Sequence, residues 1–102
     1  MTLWVLGLNH QTAPLALREQ LAFTPAELPE ALQDLQSQRG VYEAAIVSTC
    51  NRTELYCNAR DPALPRQWLM AARSRAGAGL DDSLYSLEGE IAARHVFRVR
   101  SE

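Results

Sequence analysis

Lysine is absent from this 102-residue chain, and all ten of its basic side chains are arginine. Arginine is the better bidentate partner for carboxylate and phosphate groups. A biased codon composition explains a lysine-free, alanine-rich chain at least as well, and we favour that explanation. The formal net charge is −2, so no overall basic field attracts nucleic acid.

Cysteine is scarce as well, and the two residues present, Cys50 and Cys57, do not make a disulfide framework. In one extended strand they would lie about 23 Å apart, too far to bridge. Residues 1–3 show no basic start of a signal peptide, and no apolar run approaches the length of a membrane span. Reduced thiols and these absences predict a cytoplasmic protein.

A glycine-rich phosphate loop is also missing, because the five glycines are scattered along the chain. The length suits one domain with one core, which we assign to residues 1–102.

Apolar runs and helical spacing predict the element order β-α-α-β-β-α-β-α. The predicted strands cover residues 3–8, 41–47, 53–58 and 84–87. The predicted helices cover a short stretch that follows a Thr12 cap, then residues 28–35, 64–76 and 88–100. This order favours an α+β fold whose antiparallel or mixed sheet carries its helices on one face, close to the split βαβ (ferredoxin-like) plan.

The polar heptad STCNRTE (residues 48–54) separates two strand-like segments. It predicts a hairpin-like connection at a sheet end, with Cys50 at its centre. Arg52 lies two residues from the thiol, and a nearby cation favours the reactive thiolate. Cys50 is therefore a candidate nucleophile, against the alternative of a small buried side chain. Cys57 lies in an alternating strand and is interpreted as structural.

A thiol nucleophile needs a base or a positioning partner, and the chain has two histidines. His95 falls on the apolar face of the last helix, near Ile91, where a core role is the alternative. His10 directly follows the first strand and competes for the same role. Metal binding by Cys50 and the histidines is not favoured, because the CxxC or HxxxH spacing of a zinc site is missing.

Three further side chains of the heptad are candidates for substrate binding. Arg52 could hold a carboxylate bidentately, or it could form an exposed pair with Glu54. Thr49 and Asn51 could hydrogen-bond a bound acyl group, or they could serve the turn. Glu54 is interpreted as a solvated or paired charge.

Four segments together resemble the N-terminal catalytic domain of glutamyl-tRNA reductase. They are GLNHQTAP (7–14), LRE (17–19), STCNRTELY (48–56) and RHVFRV (94–99). The resemblance implies that Cys50 attacks the aminoacyl ester of glutamyl-tRNA to give a glutamyl thioester. NADPH then reduces this thioester to glutamate-1-semialdehyde, in tetrapyrrole (porphyrin) biosynthesis. It also implies that His95 is important for activity, that Arg52 holds the substrate carboxylate, and that Thr49 and Asn51 line the substrate.

The same resemblance implies partners and domains beyond these residues. The family binds NADPH in a separate domain and forms homodimers through another, and both domains are absent from residues 1–102. Glutamate-1-semialdehyde aminomutase is an expected partner. We expect this chain alone to be unable to complete a reduction, although it could accept and hydrolyse a glutamyl group. The alternative is a non-catalytic module that binds RNA, protein or haem.

Overall fold

The structure is a computed structural model that describes the backbone of residues 2–72 and 83–101 and the side chains of residues 3–72 and 83–95. Its strands are β1 (Thr2–Asn9), β2 (Val41–Ser48), β3 (Arg52–Ala59) and β4 (Tyr85–Glu88). The helices in the described ranges are α1 (Leu15–Leu21), α2 (Leu28–Gln36), α3 (Ala63–Ala72) and α4 (Gly89–Ser101). The predicted end of the third helix, at residues 73–76, lies outside the described residues, as do the side chains of Val96 and Val99.

The four strands form one antiparallel sheet in the order β2-β3-β1-β4. β3 pairs with both β1 and β2, and β4 extends the sheet on the other side of β1. The run of apolar residues in β1 explains its central place, since Val5 and Leu6 point to opposite faces and both are buried. The α+β class and the antiparallel hairpin of β2 and β3 are confirmed.

Helices α1, α2 and α3 cover one face of the sheet. Strand residues that alternate toward this face, such as Leu6 and Leu55, pack with Leu21 and Leu35 in the core cluster. Trp68 of α3 closes the cluster, and its indole stacks on Phe23 with ring centroids 5.9 Å apart. The hydrophobic effect of this burial, at about 25 cal/mol per Å² of apolar surface, supplies the main stabilisation of this layer.

The last helix differs from the prediction, because α4 lies on the opposite face of the sheet. Its His95 contacts Glu54, which alternates away from the core residue Leu55 on β3. Ala92 of α4 is fully buried, whereas Ile91 is 61% exposed. Helices therefore cover both faces, and the apolar side of α4 does not centre on Ile91.

Threonine hydroxyls form hydrogen bonds just before α2 and in the turn that follows β1. The Thr24 hydroxyl accepts a hydrogen bond from the Glu27 backbone at 3.2 Å, and α2 begins at Leu28. Thr12 does not cap α1, whose N-cap is Pro14. Instead, the Thr12 hydroxyl accepts from the backbone of Asn9 at 3.0 Å and closes the turn that follows β1.

Candidate active site

A tight turn between β2 and β3 carries Cys50, whose side chain is exposed. The backbone N–H of Thr49 donates to the carbonyl of Arg52 at 2.8 Å. The Thr49 hydroxyl in turn accepts from the backbone of Asn51 at 3.2 Å and of Arg52 at 3.3 Å. Thr49 thus has the turn-forming role that was its alternative, and the substrate-binding roles of Thr49 and Asn51 stay predictions.

The turn is tied to α1 by an arginine that sequence reasoning did not single out. Arg18 Nη1 donates to the backbone carbonyl of Cys50 at 3.1 Å. A second tie comes from the residue Phe23, whose backbone N–H donates to Ser48 Oγ at 2.8 Å. The only sequence signal for Arg18 was its place in the segment LRE. These two contacts hold the base of the turn against the helical layer, while the thiol at its tip stays exposed.

A buried carboxylate, Glu54, lies two residues into β3 on the face covered by α4. Its relative exposure is 0%. The Tyr56 hydroxyl donates to Oε1 at 2.7 Å, and Arg52 Nη1 lies 3.4 Å from the same oxygen. His95 Nε2 lies 2.5 Å from Oε2, and the Tyr85 hydroxyl also donates to Oε2. We call these five residues the Glu54 cluster.

The cluster stabilises the ionised form of its carboxyl group. Burial alone would raise the pKa of Glu54, but hydrogen bonds from Tyr85, Tyr56 and His95 outweigh it, and the pKa lies below its usual value. Burial also raises the pKa of Tyr85, with a further contribution from Glu54 itself. Tyr85 therefore keeps its proton, and its hydroxyl donates a hydrogen bond to the Glu54 carboxylate. This carboxylate accepts hydrogen bonds on both of its oxygens.

Room for Glu54 comes from Gly7, which lies directly opposite it on β1. A Cβ atom at Gly7 would come within 2.5 Å of the Thr53 carbonyl oxygen and 2.8 Å of Glu54 Cγ. Any other residue at this position would displace the carboxylate or separate the two strands. Gly7 thus contributes to the site because its missing side chain leaves room for Glu54, and not because it adopts an unusual backbone conformation.

His10, Cys50 and Arg52 lie at one end of the sheet. Asn9 ends β1 and pairs with Arg52 at the start of β3, so that the turns carrying His10 and Cys50 lie at the same end. In the described part of the chain, no hydrogen bond joins the Cys50 sulfur to His10 or to His95. His95 instead contacts the Glu54 carboxylate. Its side chain therefore makes a polar contact and is not a purely apolar core residue.

One sequence interpretation changes, that of an exposed pair of Arg52 and Glu54. Arg52 does contact Glu54, but the pair is not exposed, because the Arg52 side chain is 13% exposed and that of Glu54 is 0% exposed. Glu54 is paired rather than solvated. Tyr56, Tyr85 and Arg18 were not assigned roles from the sequence, although Arg18 and Tyr56 lie in segments that carry the family resemblance.

Cys57 is the structural thiol that the sequence predicted. It is 1% exposed within the core, and burial raises its pKa to about 12. Among the described residues, no group of three or more His, Cys, Asp or Glu side chains is arranged to hold a metal ion.

Known proteins resemble this chain along nearly its whole length. Residues 6–101 match the family described as glutamyl-tRNAGlu reductase, N-terminal domain. This chain belongs to that family. The glutamyl-tRNA reductase of Aromatoleum aromaticum is 50% identical over 101 residues, which are 99% of this chain and 24% of that protein. The glutamyl-tRNA reductase of Xanthomonas campestris pv. campestris is 54% identical over 99 residues, which are 97% of this chain and 22% of that protein.

The fold agrees with the sequence match. Glutamyl-tRNA reductase from Methanopyrus kandleri superposes with a TM-score of 0.70 at 28% identity, over 95% of this chain and 21% of that chain. This chain therefore spans about a quarter of the length of the glutamyl-tRNA reductases that it matches. Within the described ranges, none of the helices combines the length and apolar character needed to cross a membrane.

Proposed function

We propose that this chain is the acyl-accepting domain of a glutamyl-tRNA reductase and that Cys50 is its nucleophile. The observation that carries the proposal is the exposed Cys50 thiol at a hydrogen-bonded turn. The buried Cys57 thiol is unsuited, since a thiol with a pKa near 12 holds almost no thiolate at neutral pH. Family membership supplies the substrate class, an amino acid esterified to tRNA.

The first step is an acyl transfer that these residues can carry out. The Cys50 thiol loses its proton, and Sγ attacks the ester carbonyl carbon of glutamyl-tRNA. A carbon–sulfur bond forms, the carbon–oxygen bond breaks, and the ribose oxygen leaves as a hydroxyl once it gains a proton. A covalent thioester divides one difficult step into two easier ones.

Arg52 is the proposed ligand for the side-chain carboxylate of the glutamyl group. It lies next to Asn51 in the turn, and its contact with Glu54 is long, at 3.4 Å, compared with about 2.7–2.9 Å for a strong charge-assisted bond. Arg52 thus links the turn to the Glu54 cluster. A substrate carboxylate bound there would be oriented relative to Cys50, which is the usual source of rate from positioning.

NADPH belongs to the family reaction, but the residues that the structure describes do not form a site that fits it. The sequence has no glycine-rich phosphate loop. Gly7 lies within β1, and the space a side chain would need is filled by Thr53 and Glu54. We therefore assign acyl capture to this chain and derive no reductive step from it.

Incubation with glutamyl-tRNA tests this assignment. We expect the chain to discharge the ester and to carry a glutamyl adduct, detected by intact-protein mass spectrometry, that hydroxylamine removes. Cys50→Ser should abolish both signals, because serine in place of the thiol is a far weaker nucleophile. Cys57→Ala is the matched control and should retain both, provided that its circular dichroism shows a folded chain. Discharge that survives Cys50→Ser would contradict the proposal.

A further inference from the structure

The geometry points to Glu54 as a positioning residue that holds the proton of neutral His95 on Nε2 and leaves Nδ1 to exchange protons with the reacting groups. This inference rests on the proposed function, because it assigns a role to His95 in the Cys50 reaction. It concerns a contact that the local sequence did not reveal.

Four polar side chains surround the Glu54 carboxylate. An ionised carboxylate only accepts hydrogen bonds and has about four lone-pair directions. Oε1 contacts Tyr56 and Arg52, and Oε2 contacts Tyr85 and His95. Every one of these contacts is satisfied if each partner donates. His95 Nε2 must then carry the proton.

The other ring nitrogen of His95 is Nδ1. In a neutral imidazole with its proton on Nε2, Nδ1 holds the lone pair and is the basic atom. No hydrogen bond involves His95 Nδ1 in the part of the chain that the structure describes. Tyr85 lies edge-on to the imidazole, with ring centroids 5.9 Å apart and planes at 60°. This packing and the Oε2 contact oppose a flip of the ring.

The sheet contains a buried charge at Glu54. Removing a carboxylate from water is costly, and an apolar residue of similar volume would usually stabilise the fold as well or better. Here a glycine opposite Glu54 provides the space, and four polar partners surround it. A carboxylate behind an imidazole is the usual arrangement for fixing a histidine tautomer and raising its basicity.

The resulting proton path balances the acyl transfer. His95 Nδ1 takes the proton from the Cys50 thiol, directly or through a water molecule, and later delivers it to the departing ribose oxygen. The imidazolium formed in between is stabilised by Glu54. The groups that face Glu54 in this scheme are Arg52, Tyr56, Tyr85 and His95, from β3, β4 and α4.

Nitrogen-15 NMR of the histidine rings tests the tautomer in the unaltered chain. A pH titration should show neutral His95 with a protonated Nε2 and a bare Nδ1. Neutral His95 with its proton on Nδ1 would overturn the inference without any substitution. His10 is exposed and, among the described residues, no carboxylate contacts its ring, so it provides an internal reference.

Kinetics of Cys50-dependent discharge give the second measurement. Glu54→Gln should slow discharge by at least about 10-fold, because the amide no longer fixes the tautomer or stabilises the imidazolium. It should have no further effect when His95 is already replaced by alanine, since residues that act through one another are not additive. Glu88→Gln, an exposed change on β4, is the matched control and should leave the rate unchanged.

The two proposals fail in different ways. Discharge that does not depend on Cys50 contradicts the proposed function, whatever the tautomer. Cys50-dependent discharge combined with full additivity of Glu54→Gln and His95→Ala contradicts the inference alone. If Glu54→Gln does not fold, the tautomer of the unaltered chain still decides.

Discussion

Iodoacetamide should distinguish the two thiols of this chain by a wide margin, because Cys50 is exposed and Cys57 is buried. Burial raises the pKa of Cys57 from 9.0 to about 12. At about pH 8 that value leaves about one Cys57 side chain in ten thousand as thiolate, the form that reacts. The folded chain thus holds about a thousandfold less Cys57 thiolate than the unfolded chain.

Access lowers the reactivity of Cys57 further, since the side chain is 1% exposed and reaction requires local opening of the β1–β3–β2 sheet. We expect Cys50 to be carbamidomethylated first and Cys57 to react at least about a hundredfold more slowly at about pH 8. Peptide-level mass spectrometry over a time course measures both rates. The same experiment in urea is the control, in which the difference should largely disappear. Equal rates in the folded chain would refute the placement of the two thiols.

Two other predictions concern the Glu54 cluster. Gly7→Ala should lower the free energy of unfolding by about 1–3 kcal/mol, the usual range for overpacking. The reason is that the new Cβ would lie 2.5 Å from the Thr53 carbonyl oxygen. Urea unfolding measures the loss. Glu54 should also contribute an acid-dependent term. Its folded pKa lies below 4.5, so its contribution is present above about pH 4.5 and is lost as the pH falls through the folded value. Urea midpoints measured from neutral to acidic pH should therefore fall less steeply in Glu54→Gln than in the unaltered chain.

The predictions for Gly7→Ala and Glu54→Gln each have a control variant at an exposed position of β4. Ser86→Ala, at an exposed position of β4, should change stability by less than about 0.5 kcal/mol. Glu88→Gln should keep the full acid dependence, because its carboxylate is exposed. A Gly7→Ala chain as stable as the original would show that the sheet can relax around the new methyl group. Identical acid dependence in the Glu54→Gln chain would show that this carboxylate is not ionised preferentially in the folded state.

Much of the fold could be predicted because its signals are local. The apolar run of β1, the polar heptad and the spacing of leucines in α2 each involve neighbours in sequence. An exposed thiol at a turn between two strands follows from the same kind of signal, since polar residues 48–52 separate two strand-like segments, although Thr53 and Glu54 of the same heptad are buried. The position of Cys50 was confirmed on this basis, while its role stays a prediction.

The polar part of the site could not be predicted because its contacts are distant in sequence. Glu54 and His95 are 41 residues apart, and their contact depends on which face of the sheet α4 covers. The alternation in β3 gives no sign of that choice, since both of its faces are buried near Glu54. A charged residue at a strand start reads as solvated until the tyrosines and the histidine that surround it are known.

The position of the thiol at the tip of the turn has a consequence for the lifetime of whatever it captures. Under the proposed function, an acylated donor needs to present only its reactive end, because the Cys50 thiol is exposed. Bulk water reaches the same edge of the molecule as easily. If Cys50 captures an acyl group as proposed, hydrolysis by water competes with its onward reaction. The outcome depends on how soon another surface shields that edge.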